Sequence, residues 1–271
     1  MGKTRRIVPL ILGAALLLLF LLMALFPALF TEFGQKEMFH PWQNPNGEHL
    51  LGTNAMGYDI LTELVYGTRE TLFIGVASSM LTMFLGALIG IASTGRGALG
   101  GLCNSVVNVF ALLPKLITLI VLASFVGSSH LNLILLIAAF GWVGIARNVR
   151  AKVIHLNSQP FMENCMIQGF SRPHIVLYHV LPNLSDVLLS RFLLGVNSCI
   201  MMESTLSFLG FGDLYHPTWG TMINFAYQRG AFIRQAYHYL LTPGVCIMLL
   251  SLSFYLVSLF FEGRKDTIGE A

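Results

Sequence analysis

The sequence predicts an all-α integral membrane protein with six membrane-spanning helices. Of its 271 residues, 55% are hydrophobic and only 11% are charged, and the mean hydropathy is +0.71. A soluble domain carries about 25% charged residues, because its surface must stay hydrated. The few charges here lie between long apolar runs and form no basic or acidic block, which argues against a nucleic-acid partner.

Six apolar runs are candidates to cross a hydrocarbon core about 30 Å thick. They cover residues 7–30, 72–93, 105–126, 131–146, 187–209 and 240–261. The first run exceeds the apolar core of a signal peptide, about 7–15 residues, so we expect an uncleaved span. The third is interrupted by Pro114 and Lys115, where we expect a break. Gly86 and Gly90 have the spacing that lets two helices approach closely in lipid, and glycines scattered by composition remain the alternative.

The distribution of lysine and arginine predicts that both termini are cytoplasmic. Six spans put the termini on one side, and a cytoplasmic N-terminus places eleven Lys and Arg residues inside. Only four then lie outside, namely Lys36, Arg69, Arg229 and Arg234. This excess follows the positive-inside rule. It also places the loop between the fourth and fifth spans in the cytoplasm.

Three polar residues within the predicted spans are candidates for a translocation path: Lys115, Asn197 and Glu203. A charged group inside a membrane is costly and usually faces a cavity or a partner. Lys115 can equally be a structural cation paired with Glu203 or with a backbone carbonyl, and both interpretations stay open. The four cysteines form no C-x-x-C pair and no two histidines have ligand spacing within one helix, so we expect no metal site.

The loop at residues 158–182 carries the signals of two short helices. Pro160 suits the first turn of a helix that Gly169 can end, because glycine adopts the left-handed conformation readily. Ser171 can cap a second helix, and we expect Pro182 to stop it. These signals alone fit an interfacial hairpin that binds nothing as well as they fit a functional element.

The 158–182 loop also resembles the EAA loop of ABC-importer permeases, the element that packs against the transporter's ATPase. That loop has the pattern E-A-A, three residues, G, nine residues, I-x-L-P. The matching positions are Glu163, Gly169, Leu181 and Pro182, whereas Asn164, Cys165 and His179 replace the two alanines and the isoleucine. The resemblance implies ATPase-coupling residues at Phe161, Met162, Glu163, Met166, Gly169, Phe170, Arg172, Leu181 and Pro182.

Two further stretches resemble permeases of the dipeptide/oligopeptide/nickel subfamily. HLLGTNAMGYDIL, at residues 49–61, resembles HPLGTDxxGRDVL, with Asn54 in place of an aspartate and Tyr58 in place of an arginine. ESTLSFLGFGDLYHPTWG, at residues 203–220, resembles E-x-x-L-S-F-L-G-x-G followed by P-x-W-G. Together these stretches identify the chain as a member of this subfamily, similar to its second, C-type permease subunit.

The resemblance implies a type I importer permease fold, with an N-terminal helix and external loop at residues 1–71 and the permease core at 72–271. The implied partners are a second homologous permease, two ATP-binding-cassette ATPases, an external substrate-binding protein and membrane lipid. The sequence has no G-x-x-x-x-G-K-[ST] string, so we expect the ATPases to hold ATP and Mg²⁺, and we expect no cofactor in this chain. Docking of the binding protein is expected at Gly52, Asp59, Arg69, Gly212 and Trp219.

The substrate stays open at this point. Dipeptides or oligopeptides are our first choice, and nickel or a metal chelate is the alternative within the subfamily. An ion-gradient-driven secondary transporter is the alternative of another class, and it would favour inverted repeats with paired broken helices. A membrane enzyme is disfavoured, because the chain has no H-E-x-x-H string and few ionisable residues in its spans.

Overall fold

Helices make up the architecture throughout the described residues. The computed structural model describes residues 3–95 and 97–262, without the side chains of residues 3–6, 163, 166, 172, 173, 186, 187 and 262. The helices are α1 (Lys3–Leu25), α2 (Ile60–Ala92), α3 (Ala98–Leu112), α4 (Lys115–Val126), α5 (His130–Asn157), α6 (Pro160–Ile167), α7 (Arg172–Ile175), α8 (Leu181–Leu206), α9 (Trp219–Gln228) and α10 (Tyr237–Glu262).

The number of membrane spans agrees with the sequence. Five helices, α1, α2, α5, α8 and α10, are each long and apolar enough to cross a membrane. The pair α3 and α4 makes a sixth candidate that is bent by 90° at the expected break. Leu113 there is extended, with φ −72° and ψ 132°, because a residue before proline avoids the helical region. The prediction of an all-α membrane protein with a broken third span is confirmed.

The second span is longer than predicted, since α2 begins at Ile60 and not at residue 72. The Asp59 carboxylate caps it by accepting a hydrogen bond from the Thr62 N–H at 2.7 Å. Residues 60–67, expected to belong to the external loop, form the first turns of α2 instead. A helix of 33 residues is about 50 Å long and exceeds the hydrocarbon core. The proposed boundary between residues 71 and 72 falls inside this helix.

Two other boundaries also differ from the expectation. Helix α5 continues to Asn157, beyond the predicted end at residue 146. The stretch 210–239, expected to be a polar loop, contains α9, whose Trp219 and Met222 are fully buried. Both helices carry polar residues that lower the local hydropathy, and packing against other helices stabilises them nonetheless.

Helix α2 lies at the centre and packs against α5 and α8, while α1 packs along α10. A Cβ atom added to Gly86 would lie 2.7 Å from the Ile145 Cβ, and one added to Gly90 would lie 2.8 Å from the Ala146 carbonyl oxygen. Both glycines therefore let α2 approach α5 closely, which confirms their interpretation as a helix-contact pair. At the end of the same interface, the Arg150 guanidinium of α5 donates to the Ser93 carbonyl that ends α2.

The sequence predicts that the second helix of the 158–182 loop ends at Pro182, but the helix continues beyond this residue. Helix α7 passes through a π turn (Val176–Val180) directly into α8. The Leu181 N–H donates to the Val176 carbonyl, five residues back. Pro182 then lies in the first turn of α8, where its fixed φ suits a helix.

Candidate functional site

The 158–182 loop is anchored by the inner face of α6. Met162 is fully buried and Cys165 nearly so, and both join a core cluster with Val153, Leu156 and Val180. The two side chains are three residues apart and so lie on one face of the helix. Met162 therefore holds the loop onto the helices behind it, and its predicted contact with an ATPase stays a prediction.

Gly169 ends α6 with a backbone conformation that favours glycine. Its φ is +75°, and the Phe170 N–H donates to the Cys165 carbonyl at 3.3 Å. This is the hydrogen bond of a Schellman helix end. The structure thus confirms the left-handed stop that the sequence predicts at this glycine.

The outer face of the loop is apolar and exposed. Ile167 is 81% exposed, and the Phe170 ring stacks on His174 with centroids 4.7 Å apart. His174 in turn lies 4.6 Å from the Tyr178 ring. The exposed side chains of this face are Phe161, Ile167, Phe170, Leu177, Tyr178 and Leu181, and Pro182 is also exposed. The predicted side chains of Glu163, Met166 and Arg172 lie outside the described residues.

Glu203 lies in a closed cage of hydroxyl groups. Ser207 and Thr218 each donate to its Oε1 at 2.7 Å, and Ser204 donates to its Oε2 at 3.2 Å. The residue has no exposed surface, so it lines no open path in this arrangement, and its role in translocation stays a prediction. Among the described residues, no ion pair joins it to Lys115. The cage instead ties the end of α8 to Thr218, the residue that caps α9.

The other two residues predicted to line a translocation path, Lys115 and Asn197, are half-buried. Lys115 lies at the start of α4. Asn197 of α8 has a buried Oδ1 to which no described residue donates a hydrogen bond. Their role in a path stays a prediction.

The chain between α1 and α2 folds as a small lobe, here called the 31–59 lobe. At its centre the His49 Nδ1 lies 3.0 Å from the Asp59 Oδ2, and both side chains are buried. The Phe33 and Phe39 rings pack around His49, at 5.1 and 4.5 Å between centroids. Because Asp59 also caps α2, the lobe is held rigidly at the end of that helix.

Most of the residues predicted to dock the binding protein are buried and stabilise the loops from inside. A Cβ at Gly52 would lie 2.3 Å from the Gln43 carbonyl oxygen, and one at Gly212 would lie 2.3 Å from Thr221. Trp219 is fully buried, and its indole N–H donates to the Leu64 carbonyl at 2.9 Å. Asp59 is buried as well, so these four residues shape the loops from inside, and their part in docking stays a prediction. Only Arg69 of the predicted set is exposed.

Sequence reasoning missed the exposed apolar residues of the same segments. These are Leu214, Tyr215, Phe232 and Ile233, of which Tyr215 is 83% exposed. In the sequence, each is an apolar or aromatic residue that lies outside the predicted spans, near residues that favour turns. They are candidates for contact with another protein at this end of the molecule.

A group of histidines and carboxylates links three elements near this surface. The His130 ring nitrogens lie 3.4 Å from the Glu70 Oε2 and 3.1 Å from the His216 carbonyl oxygen. Burial raises the pKa of Asp213, but the Tyr215 N–H and the imidazoles of His216 and His130 outweigh it, so this pKa lies below its ordinary value. Among the described residues, no three His, Cys, Asp or Glu side chains are placed to hold a metal ion.

Comparison with known proteins agrees with this architecture. Residues 71–267 match the family described as binding-protein-dependent transport system inner membrane component. The chain is 29% identical over 262 residues to the dipeptide transport system permease protein DppC of Alkalihalophilus pseudofirmus, covering 95% of this chain and 84% of that protein. It is 32% identical over 228 residues to a putative peptide permease protein of Brucella suis, covering 82% and 73%. The matched segment spans most of the chain, so the protein belongs to the family of binding-protein-dependent transport system inner membrane components.

Proposed function

We propose that this chain is the permease subunit of an ATP-driven importer of dipeptides or oligopeptides. Membership of the family supports a transport role that depends on an external binding protein. The relatives named above carry dipeptide and peptide permease names, and these names favour peptides over nickel or a metal chelate. The observation that carries the proposal is the family match across the helices that pack on α2.

The 158–182 loop is the proposed contact with an ATPase subunit. Its buried side, through Met162 and Cys165, attaches it to α5 and α8, and its exposed apolar side is free to enter a groove on a partner. Apolar contacts of this kind give adaptable binding surfaces. Because α7 continues into α8, a displacement of the loop is transmitted into a span as the movement of a packed helix.

The rest of the assembly follows from the same proposal. A second homologous permease would complete the path beside Lys115 and Asn197, two ATPases would bind ATP and Mg²⁺, and the chain itself would catalyse no reaction. Both termini and the 158–182 loop would be cytoplasmic. The binding protein would dock at the opposite end, where the 31–59 lobe and the exposed Tyr215 and Ile233 lie.

A single experiment with two readouts tests this function. Cells that lack the chain are complemented with the wild type or with Ile167→Asp, and we measure uptake of a radiolabelled dipeptide and co-purification of the ATPase subunit. We expect wild type to restore uptake and retain the ATPase. Ile167→Asp should lose at least tenfold in both, because a charge would replace an exposed apolar contact.

Ile233→Asp is the matched control for co-purification. Ile233 is 87% exposed and lies beyond the opposite end of α8, so this variant should retain the ATPase in full. If wild-type cells take up no peptide, the proposal that the substrate is a peptide is overturned. Ile167→Asp with unchanged uptake and unchanged ATPase retention would overturn the coupling role of the loop.

A further inference from the structure

A pocket of about 300 Å³ opens between the 31–59 lobe and the segment that joins α8 to α9. This volume is at the lower end of the range for small-molecule sites, about 300–1,000 Å³. Tyr58 of the lobe, Tyr215 of the joining segment and Phe225 of α9 contribute aromatic walls. Glu63, in the first turn of α2, forms its floor. The pocket lies within this one chain and is separate from the 158–182 loop.

The Glu63 carboxylate is buried and only partly satisfied. Its side chain is 5% exposed, and its Oε2 accepts hydrogen bonds from the Asn54 Nδ2 at 2.9 Å and from the Tyr239 hydroxyl at 3.4 Å. No described residue donates to its Oε1, and no described cation lies within ion-pair distance. A buried carboxylate without a counter-ion is unfavourable, so a cation that entered the pocket would be bound there.

Asn54 holds one side of this carboxylate in place. Its Oδ1 accepts hydrogen bonds from the N–H groups of Met56 and Tyr58, at 2.8 and 3.0 Å. The amide nitrogen must therefore point at Glu63, because the oxygen is already engaged by two donors. The protein thus satisfies one carboxylate oxygen and leaves the other for a ligand.

The walls and rim of the pocket suit a cation with an apolar body. The faces of the Tyr58, Tyr215 and Phe225 rings attract cations as well as apolar groups. The Arg229 guanidinium already occupies one face of Phe225, at 5.7 Å from the ring centroid. Lys36 is exposed at the rim, where it would repel a second positive charge and attract a carboxylate.

We propose that this pocket binds a primary ammonium group joined to a small apolar body, with Glu63 as its counter-ion. A primary ammonium presents three donors on a compact charge, which matches a single free carboxylate oxygen at the floor. A zwitterion would place its negative end toward Lys36. The ligand class is therefore an amine, with an amino acid or short peptide as the zwitterionic case.

Two of the departures from the family pattern bear on this pocket, since Tyr58 lines it and Asn54 holds Glu63. Asn54 stands where the pattern has aspartate, and an aspartate there would bring a second carboxylate to Glu63. Tyr58 stands where the pattern has arginine, and an arginine there would place a cation on the wall now formed by an aromatic ring. The free carboxylate in an aromatic setting thus depends on Asn54 and Tyr58, two residues that differ from the family pattern.

Two sources can supply such an ammonium group. One is the N-terminus of a free peptide, and the other is a lysine side chain of a docked protein. The choice of a peptide as a probe rests on the proposed function, whereas the chemistry of the pocket does not. Phenylalanyl-alanine represents the first source, and Nα-acetyl-lysine amide represents the second.

The test is a ligand-observed NMR titration of the full-length chain, purified with its partner subunits in lipid nanodiscs. We expect at least one of the two amines to bind, and at least tenfold more tightly than its counterpart with an acetylated amino group. The tighter of the two identifies the source. Glu63→Gln should weaken binding of that amine at least tenfold without changing the response to the acetylated compound.

Two further variants guard against a folding defect. Tyr58→Leu removes an aromatic wall and leaves the carboxylate, so it should weaken binding of the amine severalfold. Glu48→Gln changes an exposed carboxylate of the same lobe outside this pocket and should bind as wild type does. The proposal is overturned if acetylated and free amines bind equally, if neither binds, or if Glu63→Gln binds as wild type does.

This outcome is distinguishable from a failure of the proposed function. If the wild-type protein supports normal peptide uptake but binds no amine, the proposed ammonium site is overturned and the proposed importer function stands. Absence of peptide uptake by wild-type cells, with amine binding retained, would overturn the peptide substrate and leave the pocket.

Discussion

At the scale of single residues, the carboxylates near the 31–59 lobe have distinct tasks. Glu203 is surrounded by three hydroxyl donors and is closed off. Asp59 caps a helix and pairs with His49. Glu63 is buried with one oxygen free of donors among the described residues. All three are buried carboxylates, and their hydrogen-bond partners decide what each can do.

Replacement of Glu203 tests the structural role of the hydroxyl cage. Glu203→Leu leaves the hydroxyl groups of Ser207 and Thr218 without their acceptor, and an unsatisfied buried polar group costs about 1–3 kcal/mol. We expect a fall in the free energy of unfolding of at least about 2 kcal/mol, seen as a lower midpoint of thermal unfolding in detergent. Glu203→Gln keeps one acceptor oxygen and should lose less.

The matched control for this prediction is Glu48→Gln, a change at an exposed carboxylate that should leave the midpoint unaltered. An unchanged midpoint in Glu203→Leu would show that the cage contributes nothing to stability. Wild-type stability combined with lost uptake would instead return Glu203 to the translocation path.

The sequence located the important segments better than it located the exposed side chains within them. The strings around Asp59 and Trp219 resemble a family pattern, and the structure shows why such strings are needed: one residue caps α2 and the other joins α9 to α2. A pattern of residues marks positions that build a loop as well as positions that contact a partner. Exposed neighbours such as Tyr215 carry no comparable signal, so only the fold separates them.

At the scale of helices, the length of each element was the least predictable property. Hydropathy identified the apolar middle of α2 and α5, because that part faces lipid or other helices. The polar ends of both helices continue beyond the apolar stretch and are stabilised by caps and by packing. The break between α3 and α4 was predictable, since proline acts through local backbone geometry.

Gly169 allows an element-scale prediction about the 158–182 loop. A Cβ added there would meet no other atom within 4 Å, although φ is +75°. The penalty for a side chain is therefore the backbone penalty of about 1–2 kcal/mol for an L-residue in the left-handed region. We expect Gly169→Leu to reduce peptide uptake more than Glu163→Ala does, because the altered turn would displace α7.

Gly169→Asn is the informative companion, since asparagine tolerates this conformation better than other residues with a side chain. It should keep most of the uptake that Gly169→Leu loses. Equal uptake by wild type and Gly169→Leu would show that the geometry of this turn does not matter for coupling.

At the scale of the whole molecule, the proposed orientation places the 31–59 lobe and the 158–182 loop on opposite sides of the membrane. We expect Glu48→Cys to react with a membrane-impermeant maleimide in intact cells. Ile167→Cys should react only after the cells are permeabilised, because the loop would be cytoplasmic. Labelling is measured on the purified protein by the mass it gains.

The wild-type chain sets the background of this measurement, since its four cysteines are buried or half-buried. The reverse pattern, with Ile167→Cys labelled in intact cells, would invert the topology. It would also move the proposed ammonium pocket to the cytoplasmic side.

The uninterrupted path from α7 to α8 has a mechanical consequence. From Arg172 to Leu209 the chain is one continuous helix, about 57 Å long at about 1.5 Å per residue, with a π turn near its start. It ends where Gly210 takes a left-handed conformation, with φ +97°. A helix that slips by one residue of register against its neighbours also turns by about 100° about its axis. The π turn (Val176–Val180) holds one extra residue that such a slip would absorb or release. The helix therefore has room to change register where it meets the 158–182 loop, whereas Gly210 ends it beside the Glu203 cage.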